Sequence, residues 1–267
     1  KSLGQNFLKS KAAVAAMVAA GDISKNDTVV EIGPGRGVLT EALLERAGRV
    51  LAIEKDAGLA EFLREKFATE IENKKLILIC GDALDFDPPQ ILSQLIEVSP
   101  LSIERGGTSI NSIKYKVVAN IPYYITGLLF RRFLEDVSRP ERVVLMVQKE
   151  IAERIVARDG KESILSISVK VYGTPRLIQK VHARYFSPQP KVDSAILAIT
   201  GIASPFKNRA EETRFFDVLR KGFAHKRKLL KRNLGCPETV LKECGITPKA
   251  RPEEVLLNQW LCLSKKL

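Results

Sequence analysis

The chain has 267 residues, 45% of them hydrophobic and 28% charged, which excludes a disulfide-stapled miniprotein and an intrinsically disordered chain. No run approaches the ~18 uncharged apolar residues of a membrane span. Lysine and arginine number 43 against 31 acids, a net charge of +12, which points to a polyanionic partner. The first predicted element is the run Ala12–Ala20. It has the outline of a signal peptide, but alanine is weakly apolar and strongly helix-forming, so an ordinary helix is expected. Short β-branched runs then alternate with amphipathic segments. Thr28–Ile32, Arg49–Ile53, Lys75–Cys80, Tyr115–Ala119 and Arg142–Val147 read as strands and the segments between them as helices, the pattern of a parallel α/β sheet covered on both faces. Residues 97–114, polar and carrying Gly106-Gly107, read as an extended surface loop. Ser163–Tyr172 fits strand and helix equally. Arg176–Val181 and Val192–Thr200 are two late strands joined by Ser187-Pro188-Gln189-Pro190.

After Gly201-Ile202-Ala203-Ser204-Pro205 the strands stop and the pattern turns helical. The charge shifts at the same point: Ser204–Leu267 holds 15 basic and 7 acidic residues, +8 of the total +12. Two domains are expected, 1–203 and 204–267. On one continuous helix Phe216, Leu219, Phe223, Leu230 and Leu234 would form an apolar stripe, with Lys221, His225, Lys228, Lys231 and Arg232 largely opposite. A charge run is ordinarily a solvated face. The density of Ala224-His225-Lys226-Arg227-Lys228 makes phosphate contact by Lys221, Lys226, Arg227, Lys228, Lys231 and Arg232 the better reading. Four cysteines at 80, 236, 244 and 262 and two histidines show no zinc spacing. No metal site is expected, and the cysteines are read as reduced thiols of a cytoplasmic protein.

The first strand runs into Gly33-Pro34-Gly35-Arg36-Gly37. A dinucleotide fingerprint aligned on Gly33 would place its third small residue at position 38, which is Val38. The spacing G-x-G-x-G matches S-adenosylmethionine sites better than NAD sites, and no hydride-relay residue is evident. Glu54 ends the second strand, where a carboxylate can accept both ribose hydroxyls, and Asp82 follows the third, placed for an adenine amino group. Each acid alone would pass for a solvated loop residue. Three such features at consecutive strand ends favour a ligand site. The fourth strand ends in Asn120-Ile121-Pro122-Tyr123. A proline turn would explain this tetrapeptide alone about as well as chemistry does. The chemistry that would use it is methylation of an aromatic amine. An amide oxygen from Asn120 and a backbone carbonyl beside Pro122 would accept the two N–H bonds and expose the nitrogen lone pair. On residues alone Phe186 reads as core.

Taken in order, Gly4-Gln5-Asn6-Phe7-Leu8, Glu31-Ile32-Gly33-Pro34-Gly35, Ile53-Glu54-Lys55-Asp56, Gly81-Asp82-Ala83, Asn120-Ile121-Pro122-Tyr123 and Phe186-Ser187-Pro188-Gln189-Pro190-Lys191-Val192-Asp193-Ser194 resemble the ribosomal RNA adenine N6-dimethyltransferase family. The resemblance implies a doubly wound, Rossmann-like methyltransferase sheet with a small C-terminal all-α domain, and a helix over 163–172. It implies that Asn6 and Leu8 cover S-adenosylmethionine and that Gly33 and Gly35 lie beneath it. Glu54 would take the ribose, Asp82 with the Ala83 backbone the adenine, and Asn120 would touch both donor and target amine. Tyr123 and Phe186 match the positions that stack on a flipped adenine. The partner implied is ribosomal RNA in a partly assembled small subunit, acted on by a monomer without a membrane. Two departures from the family stand out: the 97–114 loop is long, and Tyr124 occupies a position that is polar in many relatives. The competing readings are a macrolide-resistance enzyme acting on large-subunit RNA, and an assembly factor that has lost catalysis.

Overall fold

The computed structural model describes residues 6–85, 91, 114–135, 138–225 and 227–267. Gly4, Gln5, Lys226 and the expected loop up to residue 113 lie outside them. The chain divides into two units, Lys1–Lys149 with Arg176–Ile202, and Glu150–Pro175 with Ala203–Leu267.

The first unit carries a short pair, β1 (Phe7–Leu8) with β8 (Phe186–Ser187), and a seven-stranded sheet. Its strands are β2 (Thr28–Ile32), β3 (Arg49–Glu54), β4 (Leu76–Cys80), β5 (Lys116–Asn120), β6 (Arg142–Gln148), β7 (Thr174–Val181) and β9 (Ser194–Thr200), in the order β4-β3-β2-β5-β6-β9-β7. The first five in that order are parallel, and β9 runs antiparallel to β6. The predicted strands are therefore found within a residue or two of their expected ends. Val29, Val30, Val50, Leu51, Val117, Val118, Val143 and Val144 are each at most 1% exposed, as unbroken apolar runs covered on both faces should be.

The alanine-rich segment forms the helix Lys11–Gly21, capped by the Ser10 hydroxyl, which accepts from Ala13 N–H at 3.2 Å. Short alanine side chains let this helix lie close against β5 and β6 while Val14 and Met17 are buried. Burying two such side chains contributes about 3–6 kcal/mol. The register is what places the functional residues: Ile32 lies opposite Ile53, Glu54 opposite Cys80 and Asn120 opposite Met146, so the C-terminal ends of β2, β3, β4 and β5 come out on one edge.

In the second unit Ser163–Tyr172, ambiguous by alternation, contains the helix Ile164–Lys170. The reason is a reciprocal cap: the Ser163 hydroxyl accepts from Ser166 N–H at 3.1 Å and Ser166 Oγ accepts from Ser163 N–H at 2.6 Å. The expected domain 1–203 includes this stretch. The structure groups Glu150–Pro175 with the residues after 203 instead, because Tyr172 packs against Phe206 and Phe216 and its carbonyl accepts from Ala203 N–H at 2.8 Å.

The single helix expected over 216–234 is corrected. One helix, Arg209–Gly222, is capped by Phe223, and a second begins at Leu230. The Asn233 amide donates to the carbonyls of Gly222 at 2.5 Å and His225 at 3.1 Å, satisfying the chain where it reverses. All five stripe residues are nonetheless buried. The expectation of four reduced thiols is also corrected: Cys244 and Cys262 form a disulfide, and Cys80 and Cys236 are free. The end of the helix Glu238–Glu243 meets the helix Leu257–Lys266 and brings the two Cα atoms to 5.6 Å, a pairing made by helix packing and invisible in spacing.

Candidate active site

The four strand ends enclose a hollow of about 1110 Å³, counted to include the part open to solvent. Every residue assigned to catalysis or donor binding from the sequence lines it. Asn6 and Leu8 come from the N-terminal segment, Gly33 and Gly35 from the β2 turn, and Glu54 from the end of β3. Asp82 and Ala83 follow β4, Asn120, Pro122 and Tyr123 follow or end β5, and Phe186 belongs to β8.

The β2 turn is built on positive φ. Gly35 has φ +60°, and a Cβ there would stand 3.1 Å from the Phe7 ring. Gly37, at φ +76°, opens the following helix, and a Cβ on it would lie 2.6 Å from Phe67 and 2.9 Å from Leu63. Close packing thus falls at position 37, while Val38 is 37% exposed. The G-x-G-x-G spacing suits this turn because its last glycine takes the tight contact.

Glu54, 3% exposed, holds the turn from the neighbouring strand. Its Oε2 accepts from Gly35 N–H at 3.0 Å and its Oε1 from Asp56 N–H at 2.9 Å. Each carboxylate oxygen keeps a further lone pair for a ligand hydroxyl. Asp82 Oδ1 accepts from Leu84 N–H at 3.0 Å and Oδ2 from Lys55 Nζ at 2.7 Å. The bond from Lys55 holds the Asp82 carboxyl below the usual carboxylate range. Asn120 Nδ2 donates to the Asn6 carbonyl at 3.4 Å, tying the end of β5 to the N-terminal segment. The Pro122 carbonyl accepts from Ile125 N–H at 3.2 Å within the 3₁₀ turn Tyr123–Ile125, again with a second lone pair remaining. The Tyr123 hydroxyl shares a 2.7 Å hydrogen bond with Ser194 Oγ, and burial pushes its phenol above the usual value. Phe186 is 2% exposed and belongs to the core cluster as well as to the wall of the hollow.

Two lining residues stand inside the motifs quoted above but have no role assigned from the sequence. Lys55 is there only a neighbour of Glu54. Glu31 is 1% exposed, its Oε2 has no hydrogen-bond partner, and burial, reinforced by the Glu54 charge, pushes its carboxyl up to about 8. A lone carboxylate inside Val29-Val30-Glu31-Ile32, two residues before a glycine turn, is the signal that could have found it.

The hollow fits a sulfonium nucleoside donor. Three carboxyl groups, Glu31, Glu54 and Asp82, line it. The orphaned buried Glu31 oxygen and the remaining lone pairs of Glu54 need hydrogen-bond donors, which a ribose and an amino-acid ammonium carry. Among the described residues there is no group of three or more His, Cys, Asp or Glu side chains able to hold a metal.

The assigned basic residues are placed differently. Lys221 is exposed in the last turn of its helix, Arg227 and Lys228 are exposed in the turn before Leu230, and Arg232 is exposed within Leu230–Leu234. Lys231 is bonded to Glu238 at 2.5 Å, which offsets its charge. Lys226 lies outside the described residues. Among these residues no helix is long and apolar enough to cross a membrane.

Comparison with known proteins matches residues 1–267 to the family model described as ribosomal RNA adenine dimethylase. The chain is 40% identical over 273 residues to the ribosomal RNA small subunit methyltransferase A of Dehalococcoides mccartyi, covering 98% of this chain and 87% of that protein. Among solved structures it is similar to a dimethyladenosine transferase from Plasmodium falciparum, with TM-score 0.76 and 25% identity, covering 96% of this chain and 95% of the other. It is also similar to the 23S rRNA methyltransferase ErmE, with TM-score 0.75 and 26% identity, covering 98% and 99%. A match over the whole chain, on a fold that brings residues of each motif to one hollow, means that this protein belongs to the ribosomal RNA adenine dimethylase family.

Proposed function

We propose that the protein transfers methyl groups from S-adenosylmethionine to the exocyclic N6 of adenines in small-subunit ribosomal RNA, giving N6,N6-dimethyladenosine. The observation that carries this reading is the convergence of Glu54, Asp82, Asn120 and Tyr123 on one hollow in a chain of this family. The bound donor supplies an electrophilic methyl group on sulfur. Glu54 accepts the ribose hydroxyls, and Asp82 with the Ala83 backbone takes the adenine edge, while Asn6 and Leu8 cover the donor. Adenine N6 is a poor nucleophile because its lone pair is delocalised into the ring. The Asn120 side-chain oxygen and a backbone carbonyl beside Pro122 accept its two N–H bonds in the first transfer and the one that remains in the second, so the nitrogen pyramidalises and the lone pair is exposed, and each methylated nitrogen then loses one proton to solvent. Tyr123 provides aromatic surface for a base that has left its stack, offsetting an unstacking cost of a few kcal/mol, and the buried Phe186 backs the wall of the hollow. Lys221, Arg227, Lys228 and Arg232, with Lys226 beside them in sequence, meet RNA phosphates, while Lys231, already paired, contributes less.

The solved structures do not separate the large-subunit alternative, with TM-score 0.75 and 26% identity to ErmE against 0.76 and 25% to the dimethyladenosine transferase, and the 40% identity to a ribosomal RNA small subunit methyltransferase A supports the small-subunit reading. Intact Glu54, Asp82, Asn120 and Tyr123 weigh against an inactive assembly factor. The enzyme acts as a monomer in the cytoplasm, on a partly assembled small subunit. Incubation with labelled S-adenosylmethionine and separately purified small and large subunits lacking adenine methylation tests the reading. Label should appear as dimethyladenosine in small-subunit RNA. Label in the large subunit, or none in either, overturns it.

A further inference from the structure

We infer that Ser194 is a positioning residue for methyl transfer, its hydroxyl fixing the tilt of the Tyr123 ring against the target base, an inference that rests on the function proposed above. Tyr123 sits in a turn whose backbone is already held. Ile125 N–H donates to the Pro122 carbonyl at 3.2 Å, and the Thr126 hydroxyl donates to the Tyr123 carbonyl at 2.9 Å. The freedom left to the residue is rotation of its side chain, and a ring that rotates presents no fixed face to a base. The 2.7 Å bond between its hydroxyl and Ser194 Oγ removes that freedom.

Ser194 is suited to the task because it is itself immobile. It is 0% exposed, stands at the start of β9 and is paired in register with Gln148 of β6. The residue before it is anchored independently. The Asp193 carboxylate accepts from Ala183 N–H at 2.9 Å, and the Asp193 carbonyl accepts from Lys149 N–H at 2.9 Å. Ala183 begins the 3₁₀ turn that leads directly into Phe186. One short segment therefore fixes both aromatic walls, the Tyr123 ring by a side-chain bond and the approach to Phe186 by a backbone bond. Burial raises the Tyr123 phenol above its ordinary value, so it is neutral at physiological pH, and its hydroxyl can serve this bond as donor or acceptor. Nothing in the methylation chemistry proposed above uses that hydroxyl. Its burial against a rigid serine has a positioning purpose.

The test is a double-mutant cycle on wild-type protein, Ser194→Ala, Tyr123→Phe and the double variant, assayed for kcat on undermethylated small subunits. Calorimetry gives the donor Kd in parallel. Either single change removes the same bond, so each should lower kcat about tenfold or more, the range expected for a misplaced reacting group. The double variant should be no slower than the worse single one. Donor Kd should stay within about twofold of wild type, since the bond is proposed to act on the base and not on the donor. Wild-type kcat in Ser194→Ala, or losses that multiply in the double variant, overturns the inference. If Ser194→Ala fails to fold, Tyr123→Phe, which keeps the ring and leaves the serine in place, decides alone, and wild-type turnover there refutes the role. A wild-type protein that methylates neither subunit would refute the proposed function, an outcome distinct from a failed cycle on an active enzyme.

Discussion

Replacing Glu31 with glutamine removes a titrating carboxyl from the lining of the hollow at almost no change in shape. Burial holds this group at about 8 against an ordinary 4.5, so in the folded protein it keeps its proton at neutral pH while in the unfolded chain it does not. The folded state therefore binds more protons between these two values, and stability must fall as pH rises through that window. Below pH 4.5 the group costs nothing, and above pH 8 its cost is complete. The slope is about 1.4 kcal/mol per pH unit, which amounts to about 3 kcal/mol at pH 7 and about 5 kcal/mol above pH 8. Glutamine cannot titrate, so Glu31→Gln should lack this component while every other group behaves alike in the two proteins. Urea unfolding of both, without donor, at pH 5, 6, 7 and 8 reads the difference directly. The variant should gain steadily on wild type across the series. A difference that stays constant within about 0.5 kcal/mol would show that Glu31 is not held as a buried, proton-bearing carboxyl.

Three further outcomes follow from other parts of the molecule. Asn120→Ala should lower kcat by about 10²-fold or more, as loss of a hydrogen-bonding group aimed at the reacting centre does, with thermal unfolding unchanged; turnover within a few-fold of wild type contradicts the role of its amide oxygen. Neutralising Arg227, Lys228 and Arg232 together should make the plot of log affinity for RNA against log salt shallower by about 1 for each phosphate that is no longer neutralised, and an unaltered slope would leave them as solvated surface. Alkylation of the denatured, unreduced protein should tag Cys80 and Cys236 but not Cys244 or Cys262, and reduction should lower stability by about 3 kcal/mol for a loop of 18 residues. Four tagged cysteines would contradict the disulfide.

Strands β2, β3, β5 and β6 were legible because each is a short β-branched run buried on both faces, and that pattern needs no knowledge of its neighbours. The site was legible because its parts lie at strand ends, where a carboxylate or an asparagine after an apolar run is conspicuous: Glu54, Asp82 and Asn120. What escaped depends on packing between distant segments. Glu31 reads as one polar residue in an apolar strand until the Glu54 carboxyl is brought beside it. Ser194 gains its meaning from Tyr123, 71 residues away. Cys244 and Cys262 meet because the end of one helix packs against the middle of another. The helix expected through Phe223 stops one residue short of it. Helical periodicity continues past that point, but the break is set by tertiary contacts: Phe223 stacks on Trp260 with ring centroids 5.4 Å apart, and a Cβ on Gly222 would lie 2.4 Å from the same ring. Lys231 looks in sequence like one of several phosphate ligands, and only the fold shows Glu238 beside it.

A crystal structure of the protein soaked with S-adenosylhomocysteine would show whether the hollow holds the donor. Density should fill the hollow at the ends of β2 to β5, with the ribose hydroxyls on Glu54 and the adenine amino group on Asp82. An unfilled hollow with the ligand bound at another surface would contradict the proposed donor site.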